Sequence, residues 1–121
     1  MSLFANFDQE ILESKTTALL VFTAAWCKPS RLQKAVIEQL AEEFKSRVRI
    51  EIIDVDENDK LAERFNARTL PTTVLLAQGE IIEVLPGFQT LDFLQSYLNH
   101  ILTEVEKMKQ NEKEKKEKVE V

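Results

Sequence analysis

Apolar and polar residues follow two different periods along this chain, which predicts that strands and helices alternate. Residues 18–24 are continuously apolar with β-branched and aromatic members, a pattern typical of a strand buried on both faces. Residues 48–56 alternate and then become more apolar, which predicts a parallel strand near the sheet centre. Between these strands, apolar residues recur at helical spacing from about Lys28 to Phe44. The buried face predicted for this helix consists of Leu32, Ala35, Val36, Leu40 and Phe44.

Two shorter helices are predicted by weaker versions of the same pattern. Residues 57–67 form one of them, with Asn58 or Asp59 as the residue that caps its start. A short first helix is predicted from three apolar residues at helical spacing, which are Phe7, Ile11 and Leu12.

The second half of the chain predicts a hairpin followed by a long helix. Two apolar runs within residues 72–88 meet at Gln78 and Gly79, a pair that favours a tight turn between antiparallel strands. A final helix begins near Leu91. A strand–helix–strand unit followed by a hairpin and a helix predicts an α/β fold, with a central mixed β-sheet flanked by helices on both faces.

The last residues differ in composition from the rest, so we expect a domain over residues 1–103 and a Lys/Glu-rich helical or disordered tail over 104–121. Apolar residues at heptad-like spacing, here called the C-terminal seam, are Leu91, Leu94, Leu98, Ile101, Val105 and Met108. The favoured interpretation is a core-packing helix that frays into a solvated tail. A short helix–helix interface is the alternative. The chain is therefore predicted to be a monomer or a weak dimer through this helix.

Composition narrows the classes of function. The 121 residues are 44% hydrophobic, which suits one domain with a real core, and the net charge of −5 argues against nucleic acid or anionic membrane partners. The start of the chain is acidic where a signal peptide would be basic, and no apolar run is long enough to span a bilayer. A single cysteine excludes an internal disulfide. We therefore expect a cytoplasmic protein with a free thiol.

That cysteine, Cys27, lies where the first strand gives way to the long helix. The unpaired N–H groups at a helix start favour a negative charge, Lys28 adds a cation, and the Ser30 hydroxyl can hydrogen-bond a thiolate sulfur. Each effect predicts a lowered pKa for Cys27. The alternative is a buried structural cysteine. The neighbouring Trp26, Lys28 and Pro29 favour an exposed turn instead.

Other candidate groups carry weaker signals. Pro71 opens a predicted strand, where proline is unusual, and is therefore predicted to follow a cis peptide bond rather than an ordinary trans bond. His100, the only histidine, lies on the last helix and is predicted to be a surface or boundary residue. An acidic cluster at residues 54–59 has no ordered calcium-loop spacing. We predict no metal and no cofactor.

Four segments together resemble the thioredoxin family over roughly residues 4–103. They are "VFTAAWCKPSR" at 21–31, "TLPT" at 69–72, "QGE" at 78–80 and "PGF" at 86–88. The resemblance implies a thioredoxin-like fold. It also implies that Cys27 is the nucleophile and that Pro71 is cis and faces it.

The same resemblance implies a groove that binds an extended peptide substrate. Leu70, the residue before the cis proline, offers its backbone to the peptide, and Trp26 and Gly87 complete the groove. Lys28 and Pro29 of the motif are added to this predicted substrate-binding surface.

The chain departs from the family at the positions that support its second cysteine. Ser30 stands where the resolving cysteine would be, and a hydroxyl cannot exchange with disulfides. Val21 and Ile52 stand where the family has a buried aspartate and a lysine, and Ala35 replaces a helix proline. One interpretation is a native monothiol site in which the buried charges became unnecessary. The other is a Cys→Ser variant of an ordinary dithiol protein.

The leading hypothesis is therefore a thiol–disulfide exchange protein with one nucleophilic cysteine, of the oxidoreductase or isomerase type. It would form mixed disulfides with protein or glutathione-linked partners and be poor at net dithiol reduction. The alternative is a non-catalytic binding module that keeps the peptide groove. Under that hypothesis Cys27 has no chemical role.

Overall fold

The computed structural model describes Ile11 and residues 15–119, with side chains as far as residue 112. The short helix predicted around Phe7 and Leu12 lies outside the described residues, and only Ile11 of that set is described, as a buried residue. The described elements in chain order are β1 (Ala18–Thr23), α1 (Lys28–Phe44), β2 (Arg49–Asp54), α2 (Asp59–Arg64), β3 (Thr72–Ala77), β4 (Glu80–Pro86) and α3 (Leu91–Val119).

The four strands form one mixed sheet in the order β2–β1–β3–β4. β1 is parallel to β2 and antiparallel to β3, and β4 is antiparallel to β3. Every residue of β1 and of β3 is buried, as expected for central strands. The predicted α/β fold around a mixed sheet is thus confirmed. The expected central position of β2 is wrong, because β3 occupies the other side of β1 and leaves β2 at an edge of the described sheet.

The predicted hairpin is confirmed at its turn. Gln78 and Gly79 join β3 to β4, and both have positive φ, at 55° and 79°. A two-residue turn of this handedness matches the twist of antiparallel strands, and glycine adopts it without steric cost. The turn pairs Ala77 with Glu80 and Leu76 with Ile81, and an irregularity between Leu75 and Leu76 then shifts the register by one residue, so that Thr72, the first residue of β3, faces Pro86.

The bounds predicted for α1 are confirmed, but the face predicted to be buried is partly wrong. Its buried residues are Ser30, Gln33, Ile37, Leu40 and Phe44. Leu32 is 55% exposed and Ala35 is also exposed. The apolar pattern misplaced the face because two of the five buried positions, Ser30 and Gln33, are polar. Both have roles near Cys27, described below.

The sheet and α2 share a hydrophobic core on the Phe22 side of β1. The rings of Phe22 and Phe65 lie 5.8 Å apart in a tilted arrangement, with Ile53 and Val74 in the same cluster. α2 begins after Asn58, as predicted, but the Asn58 side chain does not cap it. The side-chain amide donates instead to the carbonyl of Asp54.

α3 runs without a break from Leu91 to Val119, so the predicted boundary between residues 103 and 104 falls inside a helix. The division into domain and tail stays a prediction. In the C-terminal seam, Leu94, Leu98 and Val105 are buried and Met108 is 55% exposed. His100 is exposed on this helix. Within the described ranges, no helix is both long enough and apolar enough to cross a membrane.

The observed orientation of α1 predicts how two similar substitutions will differ. Ile37→Ala should lower the free energy of unfolding by about 2–5 kcal/mol, because it leaves a cavity under a fully buried side chain. Leu32→Ala should change it by no more than about 0.5 kcal/mol, because that side chain is mostly in water. Urea titration of both variants measures the difference, and a larger loss for Leu32→Ala would show that α1 is rotated from the orientation described.

Candidate functional site

Cys27 occupies the junction between β1 and α1. It is the N-cap residue of α1, with φ −101° and ψ 114°, and Pro29 lies in the first turn. Its N–H donates to the carbonyl of Ala24 at 3.1 Å, and its carbonyl accepts the N–H of Arg31 at 3.2 Å. These backbone bonds hold the thiol at the start of the helix, partly exposed. The alternative of a deeply buried structural cysteine therefore does not apply.

The surroundings of the sulfur lower the pKa of Cys27 below its ordinary value. The largest cause is a hydrogen bond from the Ser30 side chain, followed by one from the Ser30 backbone. Partial desolvation opposes them by raising the pKa, and the charge of Arg31 lowers it further. Arg31, not the exposed Lys28, supplies the cationic contribution. Arg31 is held in place by donating to the Ala25 carbonyl at 2.9 Å.

Ser30 is suited to stabilise a thiolate because its hydroxyl has little else to bind. The residue is 1% exposed, and among the described residues its Oγ has no other group to bond than the sulfur of Cys27. The thiol of Cys27 donates to the carbonyl of Leu70 over a long distance of 3.7 Å. Ionisation removes this donor and gives the Ser30 hydroxyl an acceptor, so the buried hydroxyl favours the charged form.

The loop before β3 brings Leu70 and Pro71 opposite the sulfur. The peptide bond between them is cis, as predicted. Thr72 fixes the end of the loop by donating its hydroxyl to the carbonyl of Thr69. The Leu70 carbonyl, the acceptor of the thiol contact, therefore belongs to a backbone segment held at both ends.

Gly87 lies against this loop from the other side. Its N–H donates to the carbonyl of Pro71 at 2.8 Å, and its φ of 85° lies in the region that favours glycine. A Cβ at this position would meet nothing within 4 Å, so the backbone faces open space. The structure thus brings together the predicted site residues Cys27, Leu70, Pro71 and Gly87.

Trp26 is 69% exposed and is oriented by a residue that the sequence did not single out as functional. Its indole N–H donates to Oδ2 of Asp56 at 2.9 Å. Asp54 in turn accepts the N–H of Asp56 at 2.8 Å and shapes that loop. Because β1 and β2 are parallel, the residues that follow each strand lie at the same end of the sheet. The predicted parallel pairing of these two strands is the feature of the sequence that could have linked Asp56 to Trp26.

Gln33 is a second residue that sequence analysis missed. Its side-chain amide donates to the carbonyl of Gln89 at 3.0 Å and accepts the N–H of Gln89 at 2.7 Å. It therefore joins the second turn of α1 to the loop that carries Gly87. A glutamine inside an amphipathic helix gave no sign of this role, because glutamine is mostly found at helix surfaces.

Val21 and Ile52 are direct neighbours in the parallel register of β1 and β2. Val21 is fully buried, and Ile52 lines a cleft of about 550 Å³ together with Ser30, Arg31 and Lys34. In the family that the chain resembles, these two positions hold an acid and a base. In this chain they hold two adjacent apolar residues. In the described part of the chain, no three histidine, cysteine or acidic side chains are grouped to hold a metal ion.

A thiol at the start of a helix, facing a cis-proline loop at one end of the central strands of a mixed sheet, defines the class of thioredoxin-fold thiol proteins. The chain belongs to the thioredoxin family, since the family model Thioredoxin matches residues 3–100. This family carries out thiol–disulfide exchange and acts on the thiols and disulfides of proteins.

Individual proteins that are similar to this chain are also thioredoxins. The chain is 30% identical over 99 residues to a thioredoxin of Pyropia yezoensis, covering 82% of this chain and 92% of that one. It is 37% identical over 82 residues to thioredoxin 2 of Chlorobaculum tepidum, covering 68% and 75%. Among solved structures, thioredoxin-2, described as a component of malaria parasite protein secretion machinery, matches with a TM-score of 0.67 and 26% identity. That match covers 70% of this chain and 82% of that one.

The environment of the sulfur predicts how the Cys27 pKa responds to substitution. Ser30→Ala should raise it, because the hydroxyl that donates to the thiolate is the largest cause of the lowering. The pH at which half of the thiol is ionised should move upward, as measured from the ultraviolet absorbance of the thiolate during a pH titration.

Lys28→Ala is the matched control, since it removes a neighbouring exposed cation that is not among the causes of the lowering. It should leave the titration curve in place. An unchanged or lower pKa in Ser30→Ala would contradict the role given to the hydroxyl.

Proposed function

We propose that this protein performs thiol–disulfide exchange with Cys27 as its only exchanging thiol, and that its adducts await an external thiol. The observation that carries the proposal is a partly exposed sulfur with a lowered pKa that lies beside Ser30 where the family has a second cysteine. A serine hydroxyl can stabilise the thiolate but cannot displace a sulfur from a mixed disulfide.

The proposed reaction has two balanced steps. The Cys27 thiolate attacks one sulfur of a disulfide R–S–S–R′, a new S–S bond to R forms, and R′S⁻ leaves with the electron pair and takes a proton from water. A second thiolate G–S⁻, from glutathione or a partner cysteine, then attacks the R sulfur of the mixed disulfide, forms the disulfide R–S–S–G and releases Cys27 as the thiolate. Cys27 ends unchanged, and the external thiol becomes the oxidised product.

We propose that the substrate is an extended peptide bound in the peptide groove, the surface formed by Trp26, Leu70, Pro71 and Gly87. Two features support this choice. Gly87 presents backbone facing open space, and Trp26 offers a large exposed apolar surface held by Asp56. Lys28 and Pro29 are exposed beside the sulfur and extend the surface that a peptide could touch.

Isomerisation of disulfides and removal of glutathione from proteins both fit this cycle, because neither needs a second thiol in the same protein. The cycle needs a reducing compartment such as the cytoplasm to keep Cys27 available.

The Ser30→Cys substitution tests the assignment. Wild-type protein, treated with a peptide whose cysteine carries a nitrothiobenzoate group, should form a one-to-one peptide adduct that persists until glutathione is added. Ser30→Cys should release the peptide and keep an intramolecular disulfide, because the new thiol lies at the resolving position. Intact-mass spectrometry distinguishes the two products.

Two further measurements sharpen this test. Cys27→Ala should form no adduct, and only Ser30→Cys should support reductase-dependent reduction of insulin. Rapid insulin reduction by the wild type would overturn the monothiol proposal. Peptide capture that survives Cys27→Ala would instead favour a binding module that does not use the thiol.

We propose that the chain is a monomer in solution. Of the six residues of the C-terminal seam, Leu94, Leu98 and Val105 are buried and only Met108 is largely exposed. One exposed methionine offers too little apolar surface for a stable helix pair, which usually needs several heptads.

Sedimentation equilibrium should therefore give the mass of one chain, 14.0 kDa, at micromolar concentration. Met108→Glu should leave that mass unchanged. A dimer that Met108→Glu dissociates would show that the seam forms an interface after all.

A further inference from the structure

We infer that Gln33 is a positioning residue that fixes the Gly87 side of the peptide groove relative to Cys27. The inference rests on the proposed function, because it concerns how that groove recognises a peptide. The hydrogen bonds of Gln33 go to Gln89, which lies in the loop at residues 87–90 between β4 and α3. Gln33 therefore acts through this loop.

The link between Gln33 and this loop is a two-point hydrogen bond. The amide nitrogen of Gln33 donates to the carbonyl of Gln89 and the amide oxygen accepts the N–H of Gln89, at 3.0 and 2.7 Å. A side-chain amide that pairs with both backbone groups of one residue fixes the orientation of that residue as well as its distance. Gln33 is fully buried, so water does not compete for these bonds.

From Gln89 the contacts continue to the groove. The Gln89 side chain folds back toward the carbonyls of Pro86 and Gly87, at 3.4 and 3.3 Å. Gly87 then donates to the Pro71 carbonyl at 2.8 Å, and the neighbouring Leu70 carbonyl faces the sulfur at 3.7 Å. The contacts therefore form a closed ring. It runs from Gln33 on α1 to the Gly87 loop, then to the loop that holds Leu70 and Pro71, and back to Cys27, the N-cap residue of α1.

This ring explains why a polar residue occupies a buried position of α1. The Gly87 loop is tied to the Pro71 loop by the bond from Gly87, and the pairing of Thr72 with Pro86 continues this contact into the sheet. These contacts do not reach α1, whereas the Gln33 pair adds two fixed points on that helix. The spacing across the groove is thereby tied to the helix that carries the nucleophile.

Loss of the Gln33 bonds should affect peptides but not the thiol itself. Gln33 is not among the groups that lower the Cys27 pKa. A small disulfide needs only the sulfur, while a peptide must also fit the groove. Gln33→Met removes both hydrogen bonds and keeps a long unbranched side chain suited to a helix interior.

The experiment compares two reagents that share one leaving thiol. One is the peptide carrying nitrothiobenzoate on its cysteine, and the other is the symmetric disulfide of nitrothiobenzoate. Gln33→Met should react about tenfold more slowly with the peptide, the scale expected for one net hydrogen-bond contribution. Its rate with the small disulfide and the Cys27 titration curve should match the wild type.

Ile37→Val is the matched control, because Ile37 lies on the same buried face of α1, one turn further on. It should lower stability modestly and leave the ratio of the two rates unchanged. A wild-type ratio in Gln33→Met, or a parallel loss with both reagents, would overturn the positioning role. Wild-type protein that reacts with neither reagent would instead overturn the proposed function.

Amide hydrogen exchange tests the same inference on the wild-type protein, so it does not require that any variant folds. The N–H of Gln89 should exchange slowly, because it donates to a buried acceptor. Exchange at the rate of an open loop would show that the bond to Gln33 is not maintained in solution.

Discussion

Stabilisation of a sulfur anion by the Ser30 hydroxyl is the interaction on which the chemistry of this site depends. The cost of exposing a charge at a protein surface is small, so a thiolate needs only a few well-placed donors to become the preferred form. Here those donors come from one residue, through its side chain and its backbone, with Arg31 as a weaker electrostatic aid. The buried hydroxyl lacks another partner, so ionisation of Cys27 satisfies a group that would otherwise stay unpaired.

This arrangement works only because the backbone around it is held in place. Cys27 is fixed by bonds to Ala24 and Arg31, and the opposing carbonyl of Leu70 lies in a loop closed by Thr72. The site therefore lies where the ends of the central strands come close to the start of α1. Such placement keeps the sulfur and the Leu70 carbonyl in a constant relation, which lowers the ordering cost of the peptide binding proposed above.

Much of this could be predicted from the sequence, and the failures have physical causes. The strands, the hairpin turn and the site at Cys27 and Pro71 follow from local patterns, because turn chemistry and helix starts are local properties. The buried face of α1 was partly misassigned, since Gln33 is buried for its hydrogen bonds and not for its hydrophobicity. Asp56 was seen only as one of several loop acids, because its contact with Trp26 spans 30 residues and depends on the parallel register.

The apolar pair of Val21 and Ile52 is explained by the free-energy cost of burying a charge. A buried acid is costly unless a partner or a proton transfer requires it, and the proton transfer in the resembling family serves a second cysteine. With Ser30 in that place there is no second thiol to deprotonate, so a carboxylate at position 21 would be a buried, unpaired charge. Val21, fully buried and directly opposite Ile52, removes that cost. Under the proposed single-thiol function the three residues fit one physical account, because an apolar pair is more stable than a buried charge that has no proton to transfer.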